Sequence, residues 1–395
     1  MKAVLFHGVG DIRVDDVPDP QIQDTTDAIV RLTASAICGT DLHFVRGTMA
    51  GTEPGTILGH EGVGVVEELG SDVRNLEVGD RVVIPSTVAC GSCSYCRAGY
   101  CAQCDNANPN GPGTAFFGGP KEASGFDGLQ AERARIPYAN VGLVKLPDEV
   151  SDDQAIAISD IFPTGYFGAD IAEIHPGDTV AVLGCGPVGL FAILSAKLLG
   201  ASRVLAVDGL EDRLQMARRA GAEVINFEAE DPVEALQRLT GGIGPDRVID
   251  AVGVDATSPE SRASDDVDFE AERDQVAPER NPHENWIAGD APSQALRWAV
   301  EAVAKAGTIS IIGVYPPQME SFPIGAAMNK NLTFKMGNCN HRKYIPHLVE
   351  LTRTGAVDPS AVLTELHGVT DAIEAYKAFD ERRPGWLKVE LQPAA

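Results

Sequence analysis

The chain has 395 residues, 44% of them apolar, and a formal net charge of −25. That length suits about two domains with real cores, and the charge disfavours nucleic acid and anionic membrane as partners, because both reward clustered Lys and Arg. No apolar run approaches the roughly 18–20 residues that cross a bilayer, and MKAVLFHGVGDIRVDD lacks the long apolar region of a signal peptide, so the expected location is the cytoplasm.

In chain order, the first chemistry-bearing stretches are ICGTDLHFVRG (37–47) and LGHEGVGVVEELG (58–70). Cys38, His60 and Glu61 are all good zinc ligands, and a catalytic zinc takes three protein ligands and keeps one position open. His60-Glu61 sits between glycines on a turn that enters the apolar strand VGVV. Asp41 and His43 follow Cys38 closely as polar groups able to support a site. Next comes CGSCSYCRAGYCAQC (90–104), five of the chain's eight cysteines in fifteen positions. Cys90, Cys93, Cys96 and Cys104 can wrap one Zn²⁺ tetrahedrally, with Cys101 a competing fourth ligand. A shell of four thiolates has no open position, so such a zinc is structural. In a reducing compartment, clustered cysteines bind metal rather than form disulfides.

Further on, DTVAVLGCGPVGLFAILSAKLLGASRVLAVD (178–208) reads strand, turn, helix, strand. The turn is Gly184-x-Gly186-Pro187-Val188-Gly189, and its glycines permit close approach of a pyrophosphate to a helix N-terminus. Asp208 ends the second strand, placed to accept hydrogen bonds from an adenosine ribose and to repel a 2′-phosphate, which favours NAD. Strand signals at EVINF, RVIDAVG and TISIIGVY alternate with helix signals over 232–240 and in SQALRWAVEAVAKAG, which fits a doubly wound parallel sheet in an α/β chain. Between them, residues 255–292 are acidic, proline-containing and without a clear period. HRKYIPHLVELTRTG reads as a further helix.

Taken together, GHEGVGVVEELG, VRNLEVGDRVVIP, GFDGLQAERARIP and the cysteine spacing resemble the zinc-dependent alcohol dehydrogenases of the medium-chain dehydrogenase/reductase superfamily. The resemblance implies a GroES-like, mostly-β catalytic domain at 1–161 and 338–395. It implies a Rossmann NAD-binding domain at 162–337, with an insertion at about 255–292. It also implies NAD and two zinc ions per chain, the catalytic one held by Cys38, His60 and a third residue. In many members that residue is a cysteine before a T-G pair; here ISDIFPTGYFGAD (158–170) offers Asp160. An aspartate there resembles the glutathione-independent formaldehyde dehydrogenase and formaldehyde dismutase branch, whose insertion covers the adenine end of a tightly held cofactor.

By the same resemblance Glu61 supports the metal or exchanges onto it, and Thr40 and His43 relay the substrate proton. Thr164 lies near the nicotinamide, Arg213 near the adenosine, and Lys388 approaches the pyrophosphate. Met49, Phe116 and Phe117 are expected on the substrate walls. The implied activity is hydride transfer between a primary alcohol or aldehyde hydrate and NAD. The alternatives are a formaldehyde dehydrogenase or dismutase with tightly bound NAD, or a non-catalytic scaffold. The implied partners are a small-molecule alcohol or aldehyde and further copies of the chain, in a homodimer or homotetramer.

Overall fold

Alternating apolar patterning dominates the first 150 residues and gives way to strand–helix alternation, and the two regimes build different sheets. The computed structural model describes the chain except for residues 110, 112, 121–124, 260–266, 279–284 and 394–395. In chain order the strands are β1 (Lys2–Gly8), β2 (Asp11–Asp16), β3 (Ala28–Ile37), β4 (Gly62–Leu69), β5 (Arg81–Ile84), β6 (Arg133–Ile136), β7 (Val144–Lys145), β8 (Thr179–Leu183), β9 (Arg203–Asp208), β10 (Glu223–Asn226), β11 (Arg247–Asp250), β12 (Thr308–Ile311), β13 (Thr333–Met336), β14 (Glu365–Gly368) and β15 (Val389–Gln392). They fall into two units: Met1–Pro163 with Asn281–Ile287 and Cys339–Ala395, and Thr164–Arg280 with Ala288–Asn338.

In the first unit a seven-stranded sheet runs β14-β15-β3-β4-β5-β7, and β6 also pairs with β3. The long strand β3 organises it. Its first half pairs with β6 and its last residues with β15, while β4 lies along its other edge. Val30, Leu32, Val66, Val82, Ile84, Leu129 and Ile136 pack one core of this unit. The β3–β4 register slips twice, and at Gly64 an added Cβ would stand 2.3 Å from the Arg31 carbonyl oxygen. Only glycine fits that approach, which gives a packing reason for a glycine of the GHEGVG stretch. A second core forms around Phe6, Phe44, Tyr376 and Phe379, and Trp286 is buried in it.

The second unit is a parallel sheet in the order β10-β9-β8-β11-β12-β13. The order reverses direction between β8 and β11, which is where doubly wound sheets open a ligand crevice beyond their strand ends. The insertion contains an element that the sequence reading left out, the helix Phe269–Val276. Asp268 caps it, accepting from the Ala271 N–H at 3.0 Å. Glu272 on that helix accepts from both the N–H and the hydroxyl of Ser293, at 3.2 and 3.0 Å. Its remaining residues at 260–266 and 279–284 lie outside the described residues. Among the described residues no helix is long and apolar enough to cross a membrane.

Candidate active site and metal centres

Three strand ends and a helix end of the first unit meet at one edge of its sheet. The β3–β4 register pairs Ser35 with Gly62, so Cys38, just beyond β3, and His60-Glu61, just before β4, leave the sheet together. Pairing of Gly62 with Ile84 brings the exit of β5 to the same edge. Ser159 ties a helix end to it: its hydroxyl donates to the Ile84 carbonyl at 2.8 Å and accepts from the Gly62 N–H at 3.0 Å. Asp160 is the next residue. Donor atoms of Cys38, His60, Glu61 and Asp160, all buried, consequently lie within 4.8 Å of one another. Asp160 Oδ2 stands 3.8 Å from the Cys38 sulfur and 3.6 Å from His60 Nε2.

Neighbouring groups hold these donors in place. Asp41 accepts from the Cys38 N–H at 2.9 Å through one oxygen and stands 3.1 Å from His60 Nδ1 through the other. That leaves His60 Nε2 for the cluster, the arrangement in which a carboxylate orients a metal-binding imidazole. Gln130 donates to Asp41 at 3.2 Å and accepts from the Tyr376 hydroxyl at 2.8 Å. Phe116 meets the His60 ring edge-on at 6.3 Å between centroids.

The electrostatics fit a cation. Burial pushes the Cys38 thiol and the Glu61 carboxyl up, against the pull of His60 and Lys388. Burial also opposes an ionised Asp160, but His341 and His60 outweigh it and hold that carboxyl well below the usual carboxylate range. Glu61 Oε2 is buried with no hydrogen-bond partner. A buried oxygen left in that condition is costly, and a metal ion among four such donors would satisfy it. Sulfur, imidazole and carboxylate are all zinc ligands.

In the second cluster the sulfurs of Cys90, Cys93, Cys96 and Cys104 lie within 4.8 Å of one another, and Cys101 is not of that group. The N–H groups of Ser92 and Cys93 both donate to the Cys90 sulfur at 3.3 Å, and those of Cys90 and Ala107 donate to Cys104 at 3.3 and 3.4 Å. Burial raises the Cys90 thiol, but the Ser92 hydroxyl and these N–H groups overcome it and bring it to about 6. Burial and the neighbouring thiols push Cys96 up instead. Four crowded thiols cannot all ionise without a cation between them, and none of the eight cysteines forms a disulfide.

In the second unit, β8 ends at Leu183, just before Gly184, and the helix Pro187–Leu198 begins after Gly186, which supplies no side-chain cap. A Cβ at Gly189 would stand 1.9 Å from the Gly184 carbonyl, so helix and turn pack closer than any other residue permits. A Cβ at Gly186 would instead enter open space, its nearest neighbour the Arg213 guanidinium at 3.9 Å. Asp208 closes β9, accepting from the Cys185 N–H at 2.7 Å and the Leu210 N–H at 2.9 Å. A bare helix start beside an anchored acid and an arginine suits a dinucleotide, with the acid available to a ribose.

Residues 24–148 match the family model for the Alcohol dehydrogenase GroES-like domain, and residues 187–264 match that for Zinc-binding dehydrogenase. An uncharacterized zinc-type alcohol dehydrogenase-like protein, AdhB, from Bacillus subtilis is 40% identical over the whole of both chains. The chain belongs to the zinc-type alcohol dehydrogenase family. The glutathione-independent formaldehyde dehydrogenase of the same organism is 31% identical, covering 96% of this chain and 94% of its own. Among solved structures, the alcohol dehydrogenase TADH from Thermus sp. ATN1 superposes with a TM-score of 0.81 at 34% identity, each chain covered in full. The protein is therefore an oxidoreductase with a GroES-like domain and a Rossmann-type domain, of a zinc-dependent family that uses NAD(P) and acts on small-molecule alcohols.

Not every site residue of the dehydrogenase falls where the sequence placed it. Lys388, expected near the pyrophosphate, packs against the metal-type cluster. The β15–β3 register pairs Val389 with Ile37, which sets Lys388 beside Cys38. Its ammonium is fully buried, donating to Glu61 at 2.6 Å and to the Ile37 carbonyl at 2.9 Å. That places it at the metal-type cluster. Phe117, expected beside Phe116 on a substrate wall, packs in the core with Leu129 and Ile136. Thr40 and His43 share a face of the helix Gly39–Arg46, three residues apart, and the His43 ring meets the Thr48 hydroxyl at 2.7 Å. Thr164 lies half-buried in the helix Ile161–Ile171. The sequence reading missed Ser86 and His341, which hydrogen-bond Asp160 at 3.1 and 2.7 Å. His341 is 181 residues from its partner, and no local spacing signals such a pair.

Proposed function

We propose that the protein oxidises a small primary alcohol, or an aldehyde hydrate, with NAD⁺ at a zinc held by Cys38, His60 and Asp160, Glu61 standing by as a fourth donor. The observation that carries this reading is the convergence of those four buried donors within 4.8 Å at one sheet edge. When bound, zinc polarises the substrate oxygen and acidifies the hydroxyl, and NAD accepts the hydride. The chain's own groups do the rest. Asp41 stands beside His60 Nδ1, which leaves Nε2 toward the cluster. Lys388 holds one oxygen of Glu61, so that the second stays available. The Thr40 hydroxyl would accept the proton leaving the substrate hydroxyl as it gives up its own, and His43, an imidazole able to take and release a proton, would pass that proton on.

On this reading Met1–Pro163 with Cys339–Ala395 carries the metals, with a structural zinc on Cys90, Cys93, Cys96 and Cys104. The cofactor lies on Gly184, Gly186, Pro187, Val188, Gly189, Thr164, Asp208 and Arg213. The enzyme works in the reducing cytoplasm as a homodimer or homotetramer. A screen of primary alcohols for NADH formation at 340 nm tests the activity. Turnover that needs zinc and rises on short primary alcohols supports it, and no turnover with both zinc sites filled overturns it in favour of a scaffold.

Asp160 also favours a second reading, formaldehyde oxidation or dismutation with NAD retained between half-reactions. Methanol and formate produced from formaldehyde without added cofactor would support it, and NAD lost completely on gel filtration would exclude it.

A further inference from the structure

The two oxygens of Asp160 have different surroundings. Oδ2 faces Cys38 and His60, while Oδ1 accepts from His341 Nε2 at 2.7 Å and from the Ser86 hydroxyl at 3.1 Å. His341 Nδ1 stands 3.1 Å from the Thr87 hydroxyl. An ionised carboxylate only accepts, so Nε2 donates to Asp160, while Nδ1 and the Thr87 hydroxyl share a hydrogen bond on the other side of the ring. All four side chains are buried. A ring with both nitrogens engaged has one orientation, and it pins one chosen oxygen of the carboxylate.

His341 is the first residue of the helix His341–Arg353, and Asn340 stands at the N-cap. An asparagine there ordinarily accepts from its own helix's first turn. This one makes no such bond; its Oδ1 accepts instead from the Ala102 N–H at 2.9 Å. Ala102 lies between Cys101 and Cys104, inside the four-cysteine lobe. Of these two adjacent residues, His341 therefore reaches Asp160 and Asn340 the backbone of the cysteine lobe.

We propose that His341 is a positioning residue that fixes which oxygen of Asp160 faces the metal, and that the cysteine lobe sets the place of His341 through Asn340. The inference rests on Asp160 being a metal ligand. A carboxylate relieved of the His341 and Ser86 donors can turn either oxygen to the metal, and loss of such a partner typically weakens metal binding about 10–100-fold. The lobe then does more than stabilise a loop: it sets the geometry at the reacting centre through one backbone-to-side-chain bond.

The test is chelator competition on the purified full-length protein, resolving its two zinc sites, with the cobalt(II) spectrum of the Asp160 site as a second readout. His341→Ala is expected to weaken that site about 10–100-fold, shift its cobalt bands and leave the cysteine site unchanged. His341→Gln, whose amide N–H can donate, is expected to recover most of the loss. Ser86→Ala gives a smaller loss, and reads the same oxygen should His341→Ala fail to fold. Asn340→Ala is expected to weaken the Asp160 site while the cysteine site keeps its metal. Unchanged affinity in His341→Ala, or in Ser86→Ala where the former does not fold, overturns the positioning role, as does a His341→Gln protein no better than His341→Ala. Unchanged affinity in Asn340→Ala overturns the link to the lobe. Asp160→Ala separates the failures: if it keeps the second metal, the ligand assignment itself is wrong. If it loses that metal while His341→Ala does not, only this inference falls.

Discussion

Lys388 and Glu61 form a fully buried ion pair, joined at 2.6 Å, beside the candidate metal ligands. Removing one member of such a pair leaves an uncompensated charge, at a cost of about 3–5 kcal/mol. Lys388→Met is therefore expected to lower stability by that amount in urea unfolding, and adding Glu61→Gln should recover much of it. A Lys388→Met protein of full stability that had instead lost affinity for NAD would make the pyrophosphate contact its main role. The sequence could not have shown this pair. WLKVEL reads as a strand with a lysine, and only the register of β15 on β3 puts that lysine beside Cys38. Cys38, His60, Glu61 and Asp160 were legible because each sits in a short motif with a chemical reason. His341 had no motif, since its role depends on a helix start meeting a residue far away in the chain.

At the level of elements, the cysteine lobe and β15 each make a prediction. Cys104→Ser is expected to remove one zinc per chain and lower the unfolding temperature, whereas Cys101→Ser should leave both zincs in place, by metal analysis and calorimetry. The reverse result would make Cys101 the fourth ligand. On β15, Glu390 is buried, and burial foremost, then the charges of Asp153 and Asp152, raises its carboxyl from 4.5 to about 7. The folded chain thus holds a proton that the unfolded chain releases. The stability this contributes is full below about pH 4.5 and is lost as pH rises through about 7. Glu390→Gln should raise the unfolding temperature at pH 8 by roughly 2–4 °C and leave it unchanged at pH 4. An equal shift at both values would exclude titration as the cause. Strands such as TVAVL and RVLAV were readable from β-branched runs ended by glycine or aspartate. The helix Phe269–Val276 was not, because acidic residues around it hide its short period, and its partner Ser293 lies outside that stretch.

For the whole molecule, the combination of motifs carried the fold class and the family, where any single glycine turn or cysteine pair would have been weak. The cofactor preference is a charge argument. Asp208 favours NAD, so Asp208→Ser is expected to raise kcat/KM for NADP relative to NAD by at least about tenfold, the equivalent of 1.4 kcal/mol. An unchanged ratio would place the discrimination elsewhere. The central claim is that one open metal site, built from Cys38, His60 and Asp160 in addition to the closed cysteine site, performs the chemistry. Zinc counted per chain in the wild-type protein and in Asp160→Ala, together with the NADH each forms from a primary alcohol, tests it most directly. The account predicts two zincs and turnover for the first, and one zinc with turnover reduced at least about a thousandfold for the second. A wild-type chain that is active with a single zinc, or an Asp160→Ala chain that keeps two zincs and full activity, would contradict it.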